Sequence, residues 1–217
     1  MILKKLSVET NLEQPTNCYI VEDEESKETM VIDPGGEPEK IIEMLNAMEI
    51  YKLKYIYLTH CHGDHFGGLL KLKEKKDGKV LIHRADAEGL YKKEISLTYY
   101  IGMDDITLEA DSRLDDGDKI HLGNLEFKVL HTPGHTGGGT SLYCEKEGLV
   151  FSGDTLFKGT WGRTDLPTGG IVDIMDSITK KLLTLPDETI VYPGHGHTTR
   201  IREEKPIYLN LRPRLDY

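Results

Sequence analysis

Short stretches in which hydrophobic and polar residues alternate, rich in β-branched side chains, open the chain and predict successive β-strands. These stretches are residues 3–8, 16–22 and 29–33. Turn-forming sequences separate them: Gln-Pro, an acidic run and Pro-Gly-Gly. Ile41, Leu45 and Met48 then recur at helical spacing behind Pro38, which suits the first turn of a helix. We therefore expect a β-meander followed by an amphipathic helix over residues 37–48.

The same mixture of strands and helices continues along the chain. Residues 54–59 form a strongly β-prone run that ends in a polar cluster, and a helix is expected over residues 66–75. Further strands are predicted at 80–83, 119–122, 125–130, 140–144, 149–152 and 189–192, and further helices at 84–90 and 171–183. Residues 91–112 have no clean period and are interpreted as an insertion. This order predicts an α/β fold, either a four-layer αββα sandwich or a simpler α/β sheet.

Length and composition define the class of protein. The chain has 217 residues, 38% of them hydrophobic and 29% charged, which is typical of a soluble globular protein. We expect one domain over residues 1–217, because no Pro/Gly/Ser-rich linker divides the chain. No apolar run approaches the ~18 residues of a membrane span, and residues 1–6 do not resemble a secretory signal. Cys18, Cys61 and Cys144 are widely spaced and form no CxxC pair, which favours a reducing, cytoplasmic location.

The charge balance bears on partners. A formal net charge of -10 disfavours nucleic acids and other polyanions. We expect a small-molecule partner, with no nucleic acid and no membrane. The sequence leaves the oligomeric state open.

Three of the nine histidines fall within six residues, in the segment His60-x-His62-x-Asp64-His65. Imidazole nitrogens and carboxylate oxygens are the usual protein ligands of zinc and related ions. The segment lies at a predicted strand-to-helix turn, where alternating side chains can converge. Asp64 and His65 are adjacent and point differently from His60 and His62, which suggests two neighbouring metal ions.

Three more polar residues have matching surroundings, each at the end of an apolar strand-like run and beside glycine. They are His135, Asp154 and His195. Glycine permits the turn and leaves space for a metal or a substrate, and loops that leave strand ends form ligand sites in open α/β sheets. Taken singly, each residue has a structural reading as a turn former or a helix cap. Taken with the histidine segment, they favour a metal site.

These motifs resemble those of the metallo-β-lactamase-superfamily hydrolases, and within them the glyoxalase II (hydroxyacylglutathione hydrolase-like) group in its short, single-domain bacterial form. Thr59-His-Cys-His-Gly-Asp-His65 resembles the hallmark of the superfamily. Gly153-Asp-Thr-Leu-Phe157 and Gly162-Arg-Thr-Asp165 resemble the glyoxalase II-like branch. The resemblance extends over residues 15–200 and implies the four-layer αββα sandwich.

The resemblance also implies a complete set of ligands for two divalent metal ions. One ion would be held by His60, His62 and His135, the other by Asp64, His65 and His195, with Asp154 bridging both. Zinc is the default ion, and iron or manganese are alternatives. The implied reaction is hydrolysis of an S-acyl thiol, such as S-lactoylglutathione, by a metal-bridging hydroxide. Asp64 and Asp154 are the predicted catalytic residues, and Asp64 is interpreted first as a ligand and second as a proton acceptor.

Arg163 is the predicted substrate-binding residue. It matches a position that contacts the glutathione part of the substrate in that group, and a guanidinium binds a carboxylate through paired hydrogen bonds. Its structural alternative is an ion pair with Asp165. The C-terminal helical region that binds glutathione in the best understood relatives does not follow His195 here, which leaves the physiological thiol open.

Three rival activities share parts of this pattern. A persulfide dioxygenase would hold one ferrous ion on His60, His135 and Asp154. A lactonase or β-lactamase would use the same ions on a cyclic ester or amide. A nuclease would need a phosphate-binding accessory region, which this acidic sequence does not show.

Residues near the motifs carry further expectations. Asp33, at the end of a strand, is either a turn residue or a hydrogen-bond acceptor for a liganding histidine. Cys61 is expected to pack behind the site as a buried thiol, and His131 is a candidate contact of a ligand. The remaining histidines, His83, His121 and His197, are expected at turns or on the surface.

Overall fold

The computed structural model describes residues 1–103 and 107–211. The strands are β1 (Ile2–Val8), β2 (Thr16–Glu22), β3 (Thr29–Ile32), β4 (Tyr55–Tyr57), β5 (Lys79–His83), β6 (Ser112–Leu114), β7 (Lys119–Leu122), β8 (Leu125–His131), β9 (Thr140–Cys144), β10 (Leu149–Gly153), β11 (Leu156–Phe157), β12 (Thr160–Trp161), β13 (Ile190–Pro193) and β14 (Thr199–Arg200). The α-helices are α1 (Pro38–Ala47), α2 (Gly63–Phe66), α3 (Leu69–Lys76), α4 (Lys93–Ser96), α5 (Ile171–Asp176) and α6 (Ile201–Leu211).

Within the described residues, the strands form two six-stranded sheets and a small hairpin of β11 and β12. The first sheet has the order β1-β2-β3-β4-β5-β6, antiparallel from β1 to β3 and parallel from β3 to β6. Parallel neighbours need a crossover connection, which α1 supplies between β3 and β4, and α2 with α3 between β4 and β5. The second sheet has the order β14-β13-β10-β9-β8-β7, with β10 and β13 parallel and the other pairs antiparallel.

Three hydrophobic clusters separate four layers. Successive side chains of a strand point to opposite faces, so Ile20 of β2 packs under the helices of the first half while Tyr19 and Val21 pack between the two sheets. In the second sheet, Tyr143 and the strands around it bury an outer face against α5 and α6. The layer order is therefore helix, sheet, sheet, helix. This order confirms the predicted four-layer αββα sandwich over the simpler α/β sheet.

Two predicted helices differ from those observed. The helix expected at residues 66–75 is divided at Gly67 and Gly68 into α2 and α3, and α2 begins earlier, inside the histidine segment. The helix expected at 171–183 is α-helical only over α5. It continues as a π-helical turn, Ser177–Lys181, and a 3-10 turn, Leu182–Thr184. Thr179 Oγ1 donates to the Met175 carbonyl at 2.7 Å, a side-chain bond that competes with the regular helical ladder.

Other regions also differ from the predicted elements. Residues 91–112, interpreted as an insertion, contain α4 and a 3-10 turn, Thr98–Ile101, and lead into β6; residues 104–106 of that stretch lie outside the described residues. The predicted helix at 84–90 is a single 3-10 turn, Ala87–Leu90. Helix α6 was not predicted, because Pro206 lies inside it. No helix in the described part of the chain is long and apolar enough to cross a membrane.

Candidate metal centre

Every predicted ligand lies on a segment that directly follows a strand. His60 and His62 follow β4, Asp64 and His65 lie on α2, His135 follows β8, Asp154 follows β10, and His195 follows β13. Since β4 belongs to the first sheet and the other strands to the second, the side chains converge where ends of the two sheets meet. The site is therefore assembled only when both sheets are folded against each other.

The first group of ligand atoms comes from His60, His62 and His135. Their nitrogens lie within 4.8 Å of one another. His62 Nδ1 is 2.8 Å from His135 Nε2, and the ring centroids of His60 and His135 are 4.9 Å apart at a nearly perpendicular angle. Three converging imidazoles match the first predicted ligand set.

The second group comes from Asp64, His65 and His195, whose ligand atoms also lie within 4.8 Å of one another. His65 Nε2 is 3.2 Å from His195 Nε2. Asp64 Oδ2 lies 3.3 Å from His195 Nε2 and 3.6 Å from His65 Nε2. This arrangement matches the second predicted set.

Asp154 contacts imidazoles of both groups. Its Oδ2 lies 3.4 Å from His135 Nε2 and 3.4 Å from His195 Nε2, and its Oδ1 lies 3.4 Å from His65 Nε2. Asp154 also forms a third group of close ligand atoms with His60 and His65. Its carboxylate thus lies between the imidazoles of the two groups, where the predicted bridge would be.

Four of the imidazoles turn their Nδ1 atoms outward, where each meets an oxygen. The pairs are His60 with Thr59 Oγ1 at 3.1 Å, His65 with Asp33 Oδ2 at 3.0 Å, His135 with the Arg163 carbonyl at 2.8 Å, and His195 with the Pro15 carbonyl at 2.9 Å. An Nδ1–H that donates outward leaves Nε2 unprotonated and directed inward, the tautomer that a metal needs. These contacts orient the four rings with Nε2 towards the centre, the orientation that the predicted metal ligation requires.

In the metal-free protein, the neighbouring carboxylates raise the pKa of two of the imidazoles. Burial disfavours the charged ring of His65, but the carboxylates of Asp154, Asp64 and Asp33 outweigh it and raise its pKa well above the usual value. The pKa of His195 is raised to about 10 in the same way, against burial, by Asp154 and Asp64. Burial works to raise the pKa of Asp154, but His195 and His65 hold it well below its usual value. The centre therefore attracts positive charge.

The residues fit divalent metal ions. Three of the six buried side-chain atoms without a hydrogen-bond partner in the described residues belong to the site: His60 Nε2, His62 Nε2 and Asp154 Oδ1. A buried polar atom without a partner is costly, and a bound cation would remove that cost. Imidazole nitrogens with carboxylate oxygens suit zinc, and also iron and manganese.

Two glycines let the backbone approach the ligands closely. A Cβ on Gly194 would lie 2.2 Å from Asp154 Oδ1 and 2.7 Å from the His65 ring. A Cβ on Gly162 would lie 2.0 Å from the Asp154 carbonyl and 3.1 Å from His135 Nδ1. Any other residue at either position would displace the ligands.

Sequence reasoning missed two groups that hold the ligand loops. The buried carboxylate of Asp86 accepts hydrogen bonds from Cys61 N at 3.0 Å, Thr136 Oγ1 at 2.7 Å and Gly138 N at 2.6 Å. It thereby ties the loop of His60 and His62 to the loop of His135. A lone Asp in a predicted helix gives no signal of such a role.

The loop of His195 is held by strand β2. Asn17 N donates to the Gly194 carbonyl at 2.7 Å, and Asn17 Nδ2 donates to the Pro193 and Gly196 carbonyls at 2.9 and 3.1 Å. Tyr19 Oη donates to the Pro193 carbonyl at 2.6 Å. These bonds link the first sheet to the second at the site. No sequence motif predicts them.

A cavity of about 540 Å³ opens over the ligands. His62, Asp64, His135, Asp154 and His195 form part of its wall, and Arg163 reaches it as well. The guanidinium of Arg163 makes a paired contact with Asp165, with Nε–Oδ1 and Nη2–Oδ2 distances of 2.8 Å each. The structural alternative for Arg163 is thus present, while its contact with substrate stays a prediction.

The other expectations have mixed outcomes. Asp33 does accept a hydrogen bond from His65, and Cys61 is buried. In the described part of the chain, no hydrogen bond or ring contact joins the His131 side chain to a predicted ligand; its Nε2 donates to the Gly137 carbonyl at 2.9 Å and its ring stacks on His83 at 4.0 Å. The surface prediction for His83 is wrong, because this residue ends β5 and is buried.

Comparison with known proteins agrees with this architecture. Residues 12–195 match the Metallo-beta-lactamase superfamily, to which the chain belongs. Hydroxyacylglutathione hydrolase GloC of Haemophilus influenzae is 34% identical over 191 residues, covering 87% of this chain and 89% of that protein.

Two solved structures are similar along nearly their whole length. BLEG-1, a B3 metallo-beta-lactamase, has a TM-score of 0.86 at 33% identity, covering 94% of this chain and 97% of its own. TTHA1623, in a di-iron-bound form, has a TM-score of 0.79 at 34% identity, covering 92% of this chain and 97% of its own. The fold and the His/Asp cluster together define a metal-dependent enzyme of the metallo-hydrolase kind.

Proposed function

We propose that the protein is a thioester hydrolase of the glyoxalase II type that uses two divalent metal ions, with zinc as the default. The observation that carries the proposal is the pair of ligand groups joined by Asp154 at the wall of a cavity of about 540 Å³. That volume suits a small-molecule substrate. The similarity to GloC supports this choice among hydrolases. Three free, buried cysteines support a cytoplasmic location.

The attacking group is water, because the described side chains at the cavity offer no activated nucleophile. Ser96 donates its hydroxyl to the Lys92 carbonyl at 3.2 Å. Cys61 is buried, and burial raises the pKa of its thiol well above the usual value. Ions held by the ligand groups would lower the pKa of a shared water towards neutrality and polarise the thioester carbonyl.

The reaction balances with water as the only co-substrate. The water oxygen bonds to the acyl carbon, the C–S bond breaks with its electron pair going to sulfur, and a carboxylic acid and a thiol result. A thiol has a pKa of about 8.5, so the thiolate leaves without help from a general acid.

Asp64 and Asp154 have different roles in the proposed reaction. Burial works to raise the pKa of Asp64, but His65 and His195 lower it, so Asp64 is ionised and serves first as a ligand. Its place in the cavity wall lets it pass a water-derived proton to solvent. Asp154 holds the two ligand groups together. Arg163 reaches an anionic group of the substrate only by exchanging its partner Asp165.

The test follows thiol release and oxygen uptake together, with metal-loaded protein and S-lactoylglutathione. Thiol release without oxygen uptake is expected. Absence of thiol release from this and from other acyl thiols would refute the proposed function. Asp154→Ala serves as the inactive control.

Two alternatives each have a supporting observation. The similarity to BLEG-1 favours opening of a β-lactam or lactone ring by the same centre, and a chromogenic cephalosporin tests it. The similarity to ETHE1 of Myxococcus xanthus, a persulfide dioxygenase, at a TM-score of 0.76 and 29% identity favours a persulfide dioxygenase with one ferrous ion on His60, His135 and Asp154. Oxygen uptake on a glutathione persulfide would mark this second alternative.

A further inference from the structure

We propose that the preferred substrate is a thioester whose acyl group is apolar and whose thiol part is uncharged. In this proposal, the ion pair of Arg163 with Asp165 selects against thiols that carry several carboxylates. This inference rests on the proposed thioesterase function and adds the substrate class to it. Two observations support it: the apolar wall of the cavity, and the ion pair that occupies the guanidinium of Arg163.

Apolar side chains from three segments form the wall beside the metal ligands. They are Leu12, Leu97, Tyr100, Ile101, Phe157 and Leu166. Tyr100 is 59% exposed and Leu12 is 38% exposed, so both leave apolar surface in water when the cavity is empty of substrate. An apolar arm that covers this surface gains binding energy in proportion to the area removed from water.

This wall is fixed relative to the metal ligands. Asn11 Nδ2 donates to the Ile101 carbonyl at 2.9 Å and joins the loop of Leu12 to the 3-10 turn that carries Tyr100. Ile101 packs against α2 so closely that a Cβ on Gly63 would lie 3.2 Å from its Cδ1. The apolar surface therefore stands next to the helix that carries two of the ligands, where a substrate arm must pass.

The cationic side chain at the cavity wall is neutralised by a neighbouring carboxylate. Among the described residues that line the cavity, Arg163 is the one Lys or Arg. Asp165 engages two nitrogens of its guanidinium, so the pair has no net charge and the favoured paired geometry is already taken. Glutathione carries two carboxylates and one ammonium group. Its carboxylates would meet a cation whose best donors are occupied and an exposed carboxylate that repels them.

The ion pair of Arg163 with Asp165 can be removed by substitution at little cost to stability, because both side chains are exposed. The side chain of Arg163 is 62% exposed and that of Asp165 is 68% exposed, and exposed ion pairs are weak. Asp165 therefore contributes little to the stability of the fold, and its substitution reports on the state of Arg163. Removing its charge frees the guanidinium without disturbing the buried ligands.

The first experiment compares matched thioesters on the metal-loaded protein as purified. Acetyl, butyryl, hexanoyl and lactoyl groups are each joined to glutathione and to N-acetylcysteamine, an uncharged thiol. We expect kcat/KM to be at least about tenfold higher for hexanoyl-N-acetylcysteamine than for hexanoyl-glutathione, and to rise about threefold per methylene from acetyl to hexanoyl. Equal or better turnover of the glutathione ester would overturn the inference while leaving the thioesterase function intact. Hydrolysis of none of these esters would instead refute the thioesterase function.

The second experiment tests the ion pair. Asp165→Asn is expected to raise kcat/KM for hexanoyl-glutathione about fivefold, mainly through KM, and to leave the N-acetylcysteamine ester unchanged. Adding Arg163→Ala to that variant is expected to cancel the gain. An unchanged preference between the two thiols in Asp165→Asn contradicts the role of Asp165.

The apolar wall has its own variant. Tyr100→Ser is expected to lower kcat/KM for hexanoyl-N-acetylcysteamine about fivefold, whereas Tyr51→Ser, at an exposed tyrosine outside the cavity, changes nothing. Equal effects of the two substitutions contradict the apolar contact.

Discussion

Replacing Asp33 by Asn perturbs one carboxylate that orients ligands of both groups. Thr59 N donates to its Oδ1 at 2.8 Å, and Thr59 Oγ1 and His65 Nδ1 donate to its Oδ2 at 2.7 and 3.0 Å. Because the Thr59 hydroxyl proton goes to Asp33, Thr59 Oγ1 is free to accept from His60 Nδ1 at 3.1 Å. Asp33 is thus bonded directly to His65 and, through Thr59, to His60.

An amide offers one acceptor oxygen where the carboxylate offers two. If the amide nitrogen faces Thr59 N, a buried backbone donor loses its acceptor. If it faces His65, the imidazole must place its proton on Nε2, the nitrogen that points at the other ligands. Losing such a support of a metal ligand weakens metal binding by about 10–100-fold, equivalent to about 1.4–2.7 kcal/mol.

Calorimetric titration of zinc into the metal-free variant measures this loss, and thermal unfolding reports on folding. The matched control is Glu204→Gln, at a buried carboxylate that accepts from Gly159 N and Thr199 Oγ1 and contacts no imidazole. We expect the control to bind zinc within about threefold of the unchanged protein. Asp33→Asn with unaltered zinc affinity, or a control that loses zinc equally, would refute the reasoning.

Three further predictions concern the same centre. Asp154→Ala should lower the metal content of both ligand groups and abolish hydrolysis, measured by elemental analysis and thiol release; two tightly bound ions with normal turnover would rule out the bridge. In the metal-free protein, the pKa of His195 is raised to about 10 against an unfolded value of about 6.5, so its stabilising contribution is full below pH 6.5 and is lost as pH rises to about 10. The melting temperature of metal-free protein should fall across that range more steeply than that of loaded protein, and parallel curves would contradict this. Gly194→Ala should weaken zinc binding at least about tenfold, while Gly137→Ala, whose Cβ makes only ordinary contacts, should not, and calorimetry distinguishes them.

Most strands of the sandwich were predictable because they are β-prone runs bounded by turn residues. In β2 every residue is buried, yet Ile20 and Tyr19 still face different layers, so a β-branched run flanked by turn residues was sufficient to predict the strand. Helix α6 was not predictable in this way. Pro206 argues against a helix locally, whereas Tyr208 packs in the outer core and Tyr208 Oη donates to the Thr160 carbonyl at 2.8 Å. Tertiary contacts thus override the local signal.

The ligands were predictable for a different reason. A metal needs several His and Asp side chains, and four of the predicted ligands lie within six residues, from His60 to His65, so the spacing itself is informative. Asp86 and Asn17 have no such spacing. They act through backbone groups of loops far away in sequence, as when Asn17 Nδ2 bonds the Pro193 carbonyl, and only the folded chain brings these partners together.

The central claim is that two ligand groups sharing Asp154 hold two divalent ions that serve hydrolysis. Metal content of protein purified without added metal, measured together with thioester hydrolysis and oxygen uptake, tests it most directly. We expect two ions per chain, thiol release and no oxygen uptake. A single iron per chain with oxygen uptake on a persulfide would contradict it.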